Sequence, residues 1–88
     1  RLISANTTLN SGTVFLCDAS NGNLILTLPR ASSSSNRVFE IKKIDSSNNI
    51  VTIICVGSET IDGESSFVID YQYVSVSIVS SGVQFYII

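Results

Sequence analysis

RVFEIKKIDSSNNIVTIICVGSETIDG, residues 37–63, contains the clearest pair of strand patterns in the chain. Val38–Asp45 and Ile50–Val56 are both rich in β-branched and aromatic residues, which favour strands. The letters SSNN between them are turn-forming residues. The stretch therefore predicts a β-hairpin, and we take it as the centre of the fold.

Side-chain alternation predicts how the first of these strands is buried. Phe39 and Ile41 share one face of the strand with Lys43, because side chains in a strand alternate with a period of two. The lysines are expected to mark a solvated side. Lys42, Lys43 and Asp45 are accordingly interpreted as a solvated strand edge whose charges discourage edge-to-edge aggregation.

The rest of the chain also shows strand patterns separated by turn signals at intervals of roughly 8 to 12 residues. The other predicted strands are Arg1–Ala5, Thr13–Ala19, Leu24–Leu28, Phe67–Ile69, Gln72–Ser80 and Val83–Ile88. Asn21 and Gly22 predict a hairpin between the second and third of these, and Ser81 and Gly82 predict a hairpin between the last two. No window has helical spacing, and no repeat of solenoid length is visible. The sequence predicts one all-β domain over residues 1–88, a compact antiparallel β-sandwich or a barrel or prism-like domain built of hairpins.

Composition limits the classes of partner. Of the 88 residues, 44% are hydrophobic and only 14% are charged, so a partner chain is expected to cover part of the apolar surface. The net charge of -2 and the five basic residues argue against nucleic-acid binding. The longest apolar runs are far shorter than the roughly 18 residues of a membrane span, so no membrane insertion is expected.

The ends of the chain and its two cysteines leave alternatives open. The chain begins at Arg1 without methionine and ends on two isoleucines, which we interpret as a processed form or a fragment of a longer protein. Cys17 and Cys55 lack the spacing of zinc or redox motifs. They are expected to be small buried hydrophobic residues, with an intrachain disulfide as the alternative.

No catalytic constellation is apparent. Histidine is absent, which excludes Ser-His and Cys-His catalysis and removes the commonest metal ligand. Asp62 and Glu64, with Glu59 nearby, form the densest group of carboxylates. We interpret them as turn residues, with Asp62 bonding its own backbone, and a weak surface calcium site as the alternative. No catalytic, cofactor-binding or metal-binding residues are assigned, and the protein is expected not to be an enzyme.

Aromatic residues near the end of the chain are the remaining candidates for a site. Tyr71, Tyr73, Phe85 and Tyr86 are expected to fill the core or a subunit interface. The alternative is that exposed members stack on sugar rings or anchor a protein partner.

Four phrases taken together resemble a small β domain of tailed-bacteriophage tail fibres and tailspikes, often found near their C-termini. The phrases are DASNGNLILTLP, VFEIKKIDSSNNIVTI, ETIDGESSFVI and YVSVSIVSSGVQFYII, and they cover the chain from about Thr13 onward. The chain differs from the pattern at Phe85, where a tryptophan is common, and at Val74, where a polar residue is usual. An apolar Val74 implies an extra interface contact.

The resemblance implies a homotrimeric fibre module on a virion that acts in host attachment outside the cell. The resemblance does not identify receptor residues. The candidates for contact with a receptor or a neighbouring subunit are the aromatic residues Tyr71, Tyr73, Phe85 and Tyr86 together with Val74. The receptor would be a host-surface glycan or protein. A threefold assembly would also bury the spare apolar surface and close exposed sheet edges. Two alternatives remain, a stand-alone carbohydrate-binding module and a trimerisation cap of a collagen-like stalk.

Overall fold

The computed structural model describes all residues 1–88, and its regular structure is mostly β, as predicted. The nine strands are β1 (Leu2–Ile3), β2 (Thr7–Thr8), β3 (Val14–Cys17), β4 (Leu24–Thr27), β5 (Val38–Lys43), β6 (Val51–Ile54), β7 (Ser66–Ile69), β8 (Ser75–Ser80) and β9 (Phe85–Ile87). One short 3₁₀ turn, Ala31–Ser33, lies between β4 and β5. No helix in the chain is long and apolar enough to cross a membrane.

The strands form two sheets, and the first six alternate between them along the chain. One sheet has the order β1-β3-β5-β8-β9 and the other the order β2-β4-β6-β7. Neighbours among β1, β3 and β5 are parallel, as are neighbours among β2, β4 and β6, whereas β7, β8 and β9 pair antiparallel. Both sheets are therefore mixed, and the prediction of antiparallel sheets built of hairpins was wrong. The chain from β1 to β6 consists of consecutive coils, each of which contributes one strand to each sheet.

The central hairpin prediction was wrong because β5 and β6 belong to different sheets. The backbone of β5 pairs with β3 and β8, and that of β6 pairs with β4 and β7. The same correction applies to the predicted hairpin of β3 and β4. In both places the turn-forming residues bend the chain as expected, but the bend carries it from one sheet to the other. The final hairpin prediction is confirmed, since β8 and β9 are antiparallel partners.

Two asparagine side chains link successive coils where strands of the four-stranded sheet begin. Asn6 Oδ1 accepts a hydrogen bond from the Ile25 amide at 2.8 Å, and Asn23 Oδ1 accepts one from the Ile50 amide at 2.9 Å. Each asparagine directly precedes a strand, β2 or β4, and bonds to the coil stacked on it. Each asparagine oxygen accepts from a backbone amide of the neighbouring coil, so these side chains extend the pairing where the parallel strands begin.

The coils have unequal lengths, which explains why no repeat is visible in the sequence. In the five-stranded sheet, Leu2 pairs with Leu16, and Leu16 pairs with Lys42. The second of these coils therefore contains many more residues than the first. The serine-rich segment and the 3₁₀ turn lie inside the longer coil. Stacked coils therefore occur without a constant sequence period.

Both sheets contribute one face to a single hydrophobic core. Side chains alternate along β3 and β8, so that Phe15 and Cys17 are buried from β3 and Val76 and Ile78 are buried from β8. Val74 precedes β8 and is exposed. The largest fully buried apolar side chains come from both sheets and from the loops: Phe15, Phe39, Phe85, Leu9, Leu26, Leu28, Ile41, Ile53, Ile61, Ile69 and Ile78.

Arg37 holds the loop between β2 and β3 against the start of β5. Its guanidinium donates hydrogen bonds to the carbonyls of Asn10 at 3.0 Å and Gly12 at 2.7 Å, with a longer bond to Leu9 at 3.5 Å. The guanidinium carbon also lies 4.5 Å from the centre of the Phe39 ring. This arrangement uses the planar fork of arginine, which a lysine cannot reproduce.

We expect Arg37→Lys to lower the free energy of unfolding by about 1–2 kcal/mol, because a charged donor would keep only part of these bonds. Urea unfolding measures the change. The matched control is Arg30→Lys, because the Arg30 side chain is exposed and makes no hydrogen bond. Equal unfolding midpoints for the two variants would contradict the stabilising role assigned to the hydrogen bonds of Arg37.

Candidate ligand-binding groove

Three loops that cross from one sheet to the other lie side by side at one edge of the molecule, and we call them the crossing loops. They are the segments 18–23, 44–50 and 70–74, which connect β3 to β4, β5 to β6 and β7 to β8. They are neighbours because β3, β5 and β8 are adjacent in one sheet and β4, β6 and β7 are adjacent in the other. Strand order thus brings together loops that are far apart in sequence.

Residues of these three loops line two adjoining depressions of the surface, and we treat the two depressions as one polar groove. The larger has a volume of about 460 Å³ and the smaller about 350 Å³. Ser46, Ser47 and Gln72 line both of them. The remaining lining residues are Asp18, Ser20, Ile44, Asp45, Asn48, Asp70 and Tyr71. Among them, Ile44 is the only aliphatic side chain and Tyr71 the only aromatic one.

The groove contains one of the predicted aromatic candidates. Tyr71 lines the smaller depression and is 75% exposed. Tyr73 is also exposed, but it lies outside the groove, with Lys42 Nζ 5.8 Å from its ring centre. Tyr86 is exposed on β9, and Val74 is exposed beside Tyr73. The structure therefore does not gather these four residues into one site.

Phe85 lies in the core and not at the surface. Its side chain is fully buried, and its ring meets that of Phe39 edge-on at a centroid distance of 6.1 Å. Its role is therefore packing, and a ligand or neighbouring subunit cannot reach the ring in this structure.

A buried ion pair underlies the groove, and it corrects the prediction of a solvated strand edge. Lys43 is fully buried, and its Nζ donates to Asp45 Oδ2 at 2.9 Å. Two further Nζ bonds go to the carbonyls of Asp45 at 3.0 Å and Ser47 at 2.9 Å. All three donors of the ammonium are thus used, which is the condition for burying it. Lys43 points inward because it shares the face of Phe39 and Ile41.

The carboxylate of Asp45 joins two of the crossing loops. Asp45 Oδ1 accepts from the Ala19 amide at 2.7 Å, and Oδ2 accepts from both the amide and the hydroxyl of Ser47. The Ala19 carbonyl in turn accepts from Asn49 Nδ2 at 2.7 Å. It also lies 3.2 Å from the Ser47 hydroxyl, whose single hydrogen it can only share with Asp45 Oδ2. Burial by itself would raise the pKa of Asp45, but the hydrogen bonds from Ser47, Ala19 and Lys43 outweigh burial and hold that pKa well below its usual range.

The rim of the groove has unused hydrogen-bonding groups. The side chains of Ser46, Asn48, Asp70 and Tyr71 are exposed and make no hydrogen bond within the chain. Gln72 uses its amide nitrogen to donate to the Ile44 carbonyl at 3.2 Å, which leaves its side-chain oxygen unused. The groove therefore combines a fixed floor with free donors and acceptors above it.

Two of the three carboxylates near residue 62, those of Glu59 and Asp62, have hydrogen-bond partners elsewhere in the fold. Asp62 Oδ1 accepts from the Ile87 amide at 3.2 Å, so it binds β9 and not its own turn as predicted. Glu59 Oε1 accepts from the Ala31 amide at 3.0 Å. No group of three or more acidic, cysteine or histidine side chains is placed to hold a metal ion.

Both cysteines are free thiols in the structure. Cys17 is buried and Cys55 is half-buried. Burial, with a smaller contribution from Asp45, raises the pKa of Cys17 to about 11, and burial together with Glu59 raises that of Cys55 to about 11. These environments favour the protonated thiol, which fits packing residues better than nucleophiles.

Sequence reasoning missed most of the groove because its residues resemble ordinary turn formers. One signal was available: DASNGN at 18–23 resembles DSSNN at 45–49, and the two segments stack as equivalent corners of successive coils. A second signal was the placement of Lys43 on the apolar face of its strand, two residues before Asp45.

No protein-family model, curated protein or solved structure matches the chain.

Proposed function

We propose that the chain is a structural and attachment module of a fibrous protein, of the tail-fibre kind that its sequence resembles. The observation that carries the proposal is the run of parallel coils, in which β1, β3 and β5 stack in one sheet and β2, β4 and β6 in the other. Stacked β-coils are the elements from which elongated β-solenoids are built. In this proposal the two sheets pack as a compact β-sandwich, and the module works outside the cell on a virion.

The antiparallel strands have the form of an end cap. β7 and β8 pair on the outer sides of β6 and β5, and β9 follows β8 by a short hairpin. Their direction breaks the parallel series, so a further coil of the same kind cannot continue the pattern on that side. Solenoids need such terminal elements to stay soluble.

Exposed apolar residues support a homotrimeric assembly. Leu2, Val14 and Leu16 are 66%, 47% and 37% exposed on adjacent strands of the five-stranded sheet, and Leu2 pairs directly with Leu16. Neighbouring apolar side chains of this kind are a common feature of subunit contacts. A cyclic trimer would cover them on every copy and would also cover the free edge at β1.

We expect the isolated domain to be a trimer at micromolar concentration, with a mass by light scattering of three times 9.5 kDa. Leu16→Glu should give monomers, because it puts a charge into the apolar contact. Val68→Glu is the control, since Val68 is exposed on the outer face of the other sheet. A monomer mass for the unchanged protein would refute the assembly, and equal effects of both variants would refute its location.

A stand-alone carbohydrate-binding module is the second candidate function. The exposed ring of Tyr71 beside the free polar groups of the groove favours it, because an aromatic face and hydrogen-bonding side chains suit a sugar. The first candidate function requires a trimer, whereas the second requires only a monomer. A monomer that binds saccharides would support the second and exclude the first.

A further inference from the structure

We propose that the polar groove binds a neutral oligosaccharide, with Tyr71 as the stacking residue and with Asp70, Asn48 and Ser46 as hydrogen-bonding partners. The proposal gives the attachment function a ligand class and a place on the surface, and its biological setting rests on that function.

The floor is held rigid before any ligand arrives. Lys43, Asp45 and Ser47 are tied to the Ala19 backbone by the bonds described above, and no buried side-chain donor or acceptor lacks a partner. A site whose supporting side chains are already fixed loses less conformational entropy on binding. The loop 45–49 is thus suited to presenting Ser46 and Asn48 in a constant arrangement.

The rim suits hydroxyl groups. Asp70 offers acceptors, Asn48 offers both donors and acceptors, and the hydroxyls of Ser46 and Tyr71 can do either. Saccharide hydroxyls are also both donors and acceptors, so each can bond to this mixed set. An apolar ligand would leave these groups without partners and gain little from one aliphatic lining residue.

The charge of the groove selects against anions. Asp18, Asp45 and Asp70 contribute carboxylates, of which only Asp45 has a cationic partner, and no arginine or lysine side chain lines either depression. The ammonium of Lys43, which bonds to the lining residues Asp45 and Ser47, is buried and has all three donors in use. Sialylated or uronic-acid saccharides would therefore meet repulsion without a compensating cation.

Tyr71 supplies the apolar contact that a sugar ring requires. Its ring stands at the rim of the smaller depression, with three quarters of its surface accessible. The axial C–H groups of a pyranose form an apolar face that can pack on such a ring, and aromatic residues dominate the energetics of small interfaces. The groove is shallow, so the affinity of one copy is weak and several copies would be needed for firm attachment.

The test is an NMR titration of the folded domain with neutral and charged saccharides. The probes are cellotriose, maltotriose and chitotriose at up to about 10 mM, a range that detects millimolar affinities, with 3′-sialyllactose as the anionic comparison. We expect at least one neutral probe to shift the amides of residues 45–48 and 70–72, with no shifts from the anionic one. Tyr71→Ala should weaken that binding about tenfold through loss of stacking.

Two variants separate this site from other exposed groups. Tyr86→Ala removes an exposed ring on β9 and should leave binding unchanged. Asp70→Asn keeps the shape of the side chain and should reduce the discrimination against 3′-sialyllactose. The proposal is overturned if no neutral probe binds, if Tyr71→Ala binds as well as the unchanged protein, or if the anionic probe binds best.

The outcome is distinguishable from that of the assembly test. Saccharide binding by a monomer would keep the groove proposal and reject the fibre module. A trimer that binds none of the neutral probes would keep the module and reject the groove proposal.

Discussion

Replacing Asp45 by alanine is expected to lower the free energy of unfolding by about 3–5 kcal/mol, because it leaves the buried ammonium of Lys43 without its charged partner. The substitution also removes the acceptors for the Ala19 amide and for Ser47. A small domain is stable by only about 5–15 kcal/mol, so the variant should be close to unfolding at ambient temperature. Urea unfolding followed by circular dichroism measures the loss.

Two further variants identify the cause of that loss. Asp70→Ala is the control, because Asp70 is exposed and makes no hydrogen bond, and it should change stability by less than about 0.5 kcal/mol. The double variant Lys43→Met with Asp45→Asn should recover part of the stability, because no unpaired charge is then buried. A loss below about 1 kcal/mol for Asp45→Ala would contradict the role assigned to the ion pair.

The pH dependence of stability gives a second readout of the same interaction. The folded-state pKa of Asp45 lies below the ordinary value of 3.8, so the unfolded chain takes up this proton at a higher pH than the folded chain. The stabilisation is therefore fully present well above pH 3.8 and is lost as the pH falls below it toward the folded-state pKa. The stability difference between the unchanged protein and Asp45→Asn should shrink over that acid range. A constant difference would show that the carboxylate's titration is not the cause.

Phe39→Ala is the second substitution with a large expected effect, about 3–5 kcal/mol of lost unfolding free energy. Phe39 is fully buried on β5, and its ring centre lies 6.4 Å from that of Phe15 and 6.1 Å from that of Phe85. The Arg37 guanidinium covers the same ring. Alanine would thus leave a cavity among three core elements and remove the surface against which Arg37 packs. Thermal or urea unfolding measures the result.

Tyr86→Ala is the matched control for Phe39→Ala. It removes an aromatic ring of similar size from β9, where about half of the side chain is exposed, so the expected loss is well under that of Phe39→Ala. Similar losses for the two variants would mean that the aromatic cluster is not the centre of the core.

The positions and faces of most strands could be predicted from the sequence because both are local properties. The period of two along β3, for example, is enough to place Phe15 and Cys17 on the face opposite Val14 and Leu16, and the structure buries the first pair and exposes the second. Strand partners could not be predicted in the same way. The turn residues around Asn21 bend the chain equally well within a sheet or between sheets, and the choice depends on bonds such as that from Ile50 to Asn23, which are distant in sequence.

The groove shows the same limit at the level of a site. Tyr71 could be selected from the sequence as one of several aromatic candidates, although its exposure was only the alternative to a place in the core or a subunit interface. Its neighbours in the groove come from three loops that only the strand order brings together. The sequence alone predicts a solvated Lys43, because a lysine without a partner is rarely buried. The partner that makes burial possible is Asp45, two residues away on a turn, and its geometry depends on Ser47 and the Ala19 backbone.

The alternation of the first six strands between two sheets has a consequence for the order of folding during synthesis. β1 and β2 have no partners until β3 and β4 have left the ribosome, and β3 and β4 remain at an open edge until β5 and β6 follow. Pairings of this kind close long loops before they gain stability, so they form slowly. Their apolar strands stay unpaired in the meantime and are prone to aggregate. The C-terminal strands β7 to β9 complete both sheets, so a nascent chain that stops before them cannot reach the native fold.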